Sequence, residues 1–339
     1  MSPFLPGYEM QEARNKLETF RLFAYVDQEL HFPPRRLSLK EMVRLAQALP
    51  AWKRSFALEG VAHYYVGGAK SEGPFTSLLA DPDLPETAMV PMHAGMGTAF
   101  AEAALSGLAH KPAKEDLRHA LDGFFELCHA NSRPGWHENS IEAMGLTVRT
   151  LHPHLLRPVS EAMGEIDPNA QRLLWHGVGR SLYFVPMNFI TFGGSHERAL
   201  AGAISEAPTP EDRCNAVAGL VWAVTLVNIR HPAVLEHLLR KCRTIGMPAA
   251  VTNGVVSALM VWKHMVPGPA VPDKGDVLAP YLRSASPAGI HGGVWNDLVA
   301  VPAAQAFAEI FPLLTEPAPP AHPTIASLFR YREAKASQA

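Results

Sequence analysis

The sequence is poor in the features that mark many common chemistries. Three cysteines, Cys128, Cys214 and Cys242, are spread through 339 residues. They are odd in number and show no Cys-x-x-Cys spacing, which argues against a disulfide framework and for reduced thiols. Neither a His-Glu-x-x-His motif nor a phosphate-binding Gly-Lys-Ser ending is present. Charge is nearly balanced, with 30 Lys and Arg against 32 Asp and Glu, and no dense basic run points to nucleic acid. The longest apolar run, Ala216 to Val227, is shorter than the roughly 20 residues a bilayer requires, so no membrane span is expected. The opening residues MSPFLPGYEMQEARN lack a basic segment followed by an apolar one. No signal peptide is read there, and a cytoplasmic location is expected. Period-two alternation is almost absent; FVPMNFITF and YLRSASP are the segments that read as short strands.

Proline and apolar residues are abundant. Thirty prolines sit mainly between segments of helical periodicity, where each stops one helix or starts the next. Hydrophobic residues make up 47% of the chain and charged ones 18%, a globular balance. Ser38-Leu39-Lys40-Glu41 is a capping box, and Asp167-Pro168 and Thr209-Pro210 each place a capping side chain before a first-turn proline.

A repeat runs through these helices. Glu138-Asn139, His176-Gly177, Asn215-Ala216, Asn253-Gly254 and His291-Gly292 are spaced by 38, 39, 38 and 38 residues. Glu59-Gly60 and His93-Ala94 precede them at less even intervals. A fixed period in the range of roughly 20–50 residues signals stacked supersecondary units. The fold class expected is all-α, built of tandem helical hairpins, with apolar marked helices inside and amphipathic ones outside. Two arrangements fit: an open HEAT-like solenoid, or a closed or nearly closed α/α ring. The ring is preferred, because seven marked helices suffice to close one and the inner helices are too apolar for an open groove. Residues 1–330 are read as one domain and 331–339 as a frayed tail. An array without polar end caps often pairs with itself, which makes a homodimer an expected option.

If the marked helices align, their leading residues converge at helix N-termini: Glu59, His93, His137, Glu138, His176, Asn215, Asn253 and His291. Such a ring can hold an anion, do acid-base work or ligate a metal. His93, His137 and His176 are the metal candidates, with iron or zinc the cation such a set suits. The competing reading is structural: Asn215, Asn253 and Glu59 as helix caps, and His291 as a packing residue. Gly95-Met96-Gly97 and Gly177-Val178-Gly179 are read as sites of close helix approach. Arg180, inside an apolar helix, demands a partner, and Glu138 or Glu59 is expected to supply it, with an anionic ligand as the alternative.

Four of these runs resemble a known family, the domain-of-unknown-function proteins encoded in enediyne and other bacterial secondary-metabolite clusters. The resemblance spans roughly residues 12–245. It rests on Ser55 to Ala62 (SFALEGVA), His93 to Thr98 (HAGMGT), Gly135 to Asn139 (GWHEN) and Gly177 to Phe184 (GVGRSLYF). Thr98, Asn139 and His176 depart from that family's usual Trp, Gly and Gln. The resemblance implies a bacterial protein of specialised metabolism and singles out Glu59, His93, His137, Glu138 and Arg180. The function expected is an enzyme acting on a hydrophobic small molecule, a polyene or polyketide-like intermediate, in an apolar helical pocket. His137, Glu138, Glu59 and Arg180 are its candidate catalytic groups. The alternative is a non-catalytic carrier of a lipophilic ligand or a helical scaffold.

Overall fold

The computed structural model describes residues 7–68, 75–191, 193–267, 276–289 and 292–315. Every regular element among them is helical, and none of these helices is long and apolar enough to cross a membrane. The chain opens with α1 (Gly7–Ala24), the single turn α2 (Val26–Glu29), α3 (Leu39–Gln47) and α4 (Ala51–Gly68). Next come α5 (Met89–Ser106), α6 (Lys114–Asn131), α7 (His137–Leu151), α8 (Leu156–Ile166) and α9 (Pro168–Phe184). The short α10 (Pro186–Phe189) leads to α11 (Ser195–Ser205), α12 (Pro210–Val227), α13 (Pro232–Cys242) and α14 (Pro248–Met265). The last described helices are α15 (Gly292–Trp295), α16 (Val301–Glu309) and α17 (Phe311–Thr315).

Local chemistry accounts for many of these boundaries. Ser38 accepts the Glu41 N–H at 3.3 Å and Glu41 accepts the Ser38 N–H at 2.9 Å, which closes the capping box of α3. Asp167 accepts the Asn169 N–H at 2.9 Å and Thr209 accepts the Asp212 N–H at 3.1 Å, opening α9 and α12. The two strand candidates are corrected. FVPMNFITF contains α10, which Pro186 starts, and YLRSASP begins in a 3-10 turn and continues through bends. The 331–339 tail lies outside the described residues.

The helices alternate in burial. α5, α7, α9, α12 and α14 are apolar and deeply buried, and each packs on the next. α6, α8, α11 and α13 lie against them; α6, for example, buries Leu117, Leu121, Phe124 and Cys128 along one stripe and leaves its other side polar. α1 packs on α4 near the start of the chain and on α12 and α13 much later in it.

The inner contacts are made by glycine against backbone. A Cβ on Gly95 would lie 1.9 Å from the Glu59 carbonyl oxygen in α4, and one on Gly97 2.1 Å from that of Ser140 in α7. Gly177 meets the Glu142 carbonyl of α7 and Gly179 the Ala216 carbonyl of α12, where added Cβ atoms would stand at 2.2 and 1.9 Å. Residues two apart on a helix point about 200° apart, so each Gly-x-Gly run serves the neighbours on both sides. The two motifs are therefore double contact points. Approach this close also favours weak Cα–H···O contacts between helices.

The first helix is fastened by polar groups instead. Lys16, fully buried, donates to the Asn188 carbonyl at 2.8 Å, lies 3.3 Å from Glu12 and sits 3.8 Å from the centre of the Tyr183 ring. Glu12 also bonds His196 of α11 at 2.9 Å, and Asn15 donates to Asn228 at 2.8 Å. Burial alone would push the Glu12 carboxyl up, but His196 and Lys16 outweigh it and bring it down to about 2. Burial drives the Lys16 ammonium down to about 8 against the pull of Glu12.

Two outcomes follow. Gly179→Ala is expected to lower the unfolding free energy by about 3 kcal/mol, because a backbone carbonyl cannot yield to the new methyl. Gly123→Ala in α6, which has nothing within 4 Å, should raise it by about 0.5–1 kcal/mol. Urea denaturation of both variants compares them. The Glu12 carboxyl is depressed from 4.5, so its contribution is fully present above pH 4.5 and disappears as pH falls toward 2. Stability measured across that interval should drop by roughly 3 kcal/mol from this group, and Glu12→Gln should flatten the slope.

Candidate functional site

The polar marks of the repeat sit inside helices, not at their starts. Glu59, His93, His176, Asn215 and Asn253 all fall within helices that began several residues earlier; of the described marks, His137 and Glu138 alone open one. His291 lies outside the described residues. This corrects the expected ring of N-termini. The prolines and caps mark the starts, and the polar-small pairs mark the level at which inner helices cross. Asn215 accordingly caps no helix start: its side chain donates to the Glu211 carbonyl of its own helix at 2.9 Å. His152, by contrast, stands at the C-cap of α7.

Between α4, α7 and α9 the chain assembles a buried ion cluster. Arg180 Nη1 donates to Glu142 at 2.6 Å, and Nη2 meets Glu59 at 3.3 Å. The second oxygen of Glu142 takes His176 Nδ1 at 2.9 Å. The Arg180 guanidinium also lies 4.7 Å from the centre of a Trp222 ring, a cation–π distance. Glycine sets these positions directly, because Glu59, Glu142 and His176 carry the carbonyls that Gly95, Gly177 and Gly219 press against.

The two carboxylates titrate in opposite directions. Burial raises Glu59 above the ordinary carboxylate range, and the charge of Glu142 adds to that, with Arg180 only partly offsetting them. Burial acts on Glu142 too, but Arg180 and His176 overcome it and hold Glu142 low. Burial lowers the His176 imidazole against the opposing charge of Glu142. Arg180 is pressed down by burial and raised by the two glutamates, which prevail. Carboxyls pushed apart in this way are a recurring arrangement in acid-base sites.

Glu59 and Arg180 form the polar end of a cavity of about 170 Å³. Phe20, Phe23, Phe56, Phe184 and Trp222 line it, with Leu146 and Thr150 from the C-terminal half of α7. An apolar pocket with a few convergent polar groups is the usual form of a small-molecule site.

The other candidates stand elsewhere. His93 is fully buried, its Nδ1–H donates to the Met89 carbonyl at 2.7 Å, and its Nε2 accepts the Arg133 N–H at 3.1 Å. Burial brings it down to about 3, so the ring is neutral, and both nitrogens are committed to backbone. It holds the turn before α7 and has no lone pair left for a metal. His137 and Glu138 occupy the first turn of α7, and neither lines the cavity; the His137 ring faces His129 at 4.4 Å. The expected set of His93, His137 and His176 is not brought together, and no group of three or more His, Cys, Asp or Glu among the described residues is placed to hold a metal ion.

Glu142 is the member that the sequence reading missed. Its signal was present: it precedes Arg180 by 38 residues, the spacing of the polar marks. It is also the lone charge in the run from Ser140 to Leu146. No protein-family model, curated protein or solved structure matches the chain.

Removing the carboxylate behind Arg180 leaves a buried cation with one weak partner. Glu142→Gln should therefore cost about 3–5 kcal/mol of stability. Glu59→Gln should cost under about 1 kcal/mol, because its carboxyl is already drawn toward the neutral form. Chemical denaturation at neutral pH tests the order; equal losses would show that the two carboxylates do equivalent jobs.

Proposed function

We propose that this chain is an enzyme of bacterial specialised metabolism that moves a proton on a hydrophobic, polyene or polyketide-like intermediate. The observation that carries this is one raised carboxyl, Glu59, placed beside a clamped arginine at the end of an aromatic cavity. Glu59 in its acid form donates a proton to an unsaturated carbon of the substrate. Aromatic faces stabilise the positive charge that develops. The Glu59 carboxylate then takes a proton from a neighbouring carbon, so the double bond shifts and the enzyme returns to its starting state. Glu142 clamps Arg180 beside Glu59, and neither of the two exchanges protons with the substrate. His137 and Glu138, the other candidates, have no part in this reading. The nearly closed ring of hairpins is part of the same proposal, supported by the packing of α1 on both α4 and α12.

The alternative function is a lipophilic carrier, which binds the same ligand and returns it unchanged. Incubation with ten-carbon conjugated polyenes in deuterium oxide separates the two. An enzyme of this kind exchanges Glu59 with solvent and leaves deuterium on carbon, read by mass spectrometry as a one-unit gain. Glu59→Gln should keep the fold and binding and abolish the gain. Binding without deuterium gain by the wild-type chain would support the carrier and defeat the catalytic reading.

A further inference from the structure

The guanidinium of Arg180 is filled unevenly. Its Nη1 is taken by Glu142 at 2.6 Å from the closed side. Its other edge carries Nη2 and Nε. There Nη2 reaches Glu59 only at 3.3 Å, and Nε is buried with no hydrogen-bond partner among the described residues. Arg180 is 6% exposed, so solvent has little access to that edge. The same edge of another arginine shows what it accepts. Arg149 Nε and Nη2 donate to the two oxygens of Glu206 at 2.6 and 2.8 Å, the fork geometry that a carboxylate matches. Glu59 meets Nη2 of Arg180 alone and leaves Nε without a partner among the described residues.

We propose that the substrate of this cavity is an apolar chain ending in a carboxylate, which docks bidentately on the Nε–Nη2 edge of Arg180 while Glu59 withdraws. The inference rests on the reading of the cavity as the substrate site and adds the chemical class of its occupant. The aromatic walls take the chain and the arginine takes the head group. On the order of ten to fifteen heavy atoms fit in 170 Å³. The charges agree. With Glu59 ionised the cluster already holds two carboxylates against one arginine, so a third anion enters together with a proton on Glu59. The raised titration of Glu59 favours that uptake. A cationic head group is disfavoured, because Arg180 already lies on the face of Trp222 and repels it.

Calorimetric titration of the full chain with decanoate, decanol and decyltrimethylammonium tests this, run in two buffers of different ionisation enthalpy. Decanoate should bind at least tenfold more tightly than decanol and with more proton uptake. Arg180→Lys keeps the charge but loses the fork, and should bring decanoate to the level of decanol; its thermal melt shows whether it is folded. Should that variant not fold, Glu59→Ala decides: with the edge cleared, decanoate should bind more tightly and without proton uptake. Decanol binding as well as decanoate would overturn the carboxylate class while leaving an apolar site standing. A preference for the ammonium would overturn it in favour of a cation. Binding of none of the three would remove the cavity reading itself.

Discussion

The contact of glycine with the carbonyl of a neighbouring helix is the constraint on which the other features depend. It repeats across α4, α5, α7, α9, α12 and α14. A glycine inside a helix is unfavourable by about 1 kcal/mol relative to alanine. The compensation is backbone approach close enough to exclude side chains and water from the crossing. Charged residues at that level are thereby cut off from solvent and must satisfy one another. The cluster of Glu59, Glu142, His176 and Arg180 answers that demand with side chains from three helices.

The cluster is asymmetric because its surroundings are. Glu142 is enclosed by an arginine and a histidine; Glu59 has one long bond to the arginine and a cavity in front of it. Identical carboxyl groups are thus driven in opposite directions, one toward permanent charge and one toward the acid form. The knot of Lys16, Glu12 and His196 shows the contrast. It is as deeply buried, yet it closes on its own partners and fastens α1 to α10 and α11.

Much of the frame was legible in the sequence, because it is written in local chemistry. Prolines and capping side chains gave several helix starts, helical periodicity gave the all-α class, and the Gly-x-Gly runs gave close approach. Glu59 and Arg180 were named together because a buried arginine needs an acid. The convergence at helix N-termini was misplaced, since a repeat fixes the spacing of equivalent positions and leaves open where on the helix they fall. His93 drew attention by its residue type, but both of its ring nitrogens serve the backbone, a matter decided by the tertiary position of Arg133. The cavity was only partly legible. Phe20 and Phe23 come from α1, whose docking depends on side chains more than a hundred residues away.

The helix crossings meet through main-chain atoms on one side as well as through glycine on the other. At Glu59, Glu142 and His176 it is the carbonyl that carries the packing, which every amino acid possesses. The close approach at those positions therefore does not depend on which side chain stands there. Divergence at Glu59, whose side chain makes one long bond, is free to rewrite the acidity of the layer while the frame stays as it is, so a single scaffold can pass from one chemistry to another there.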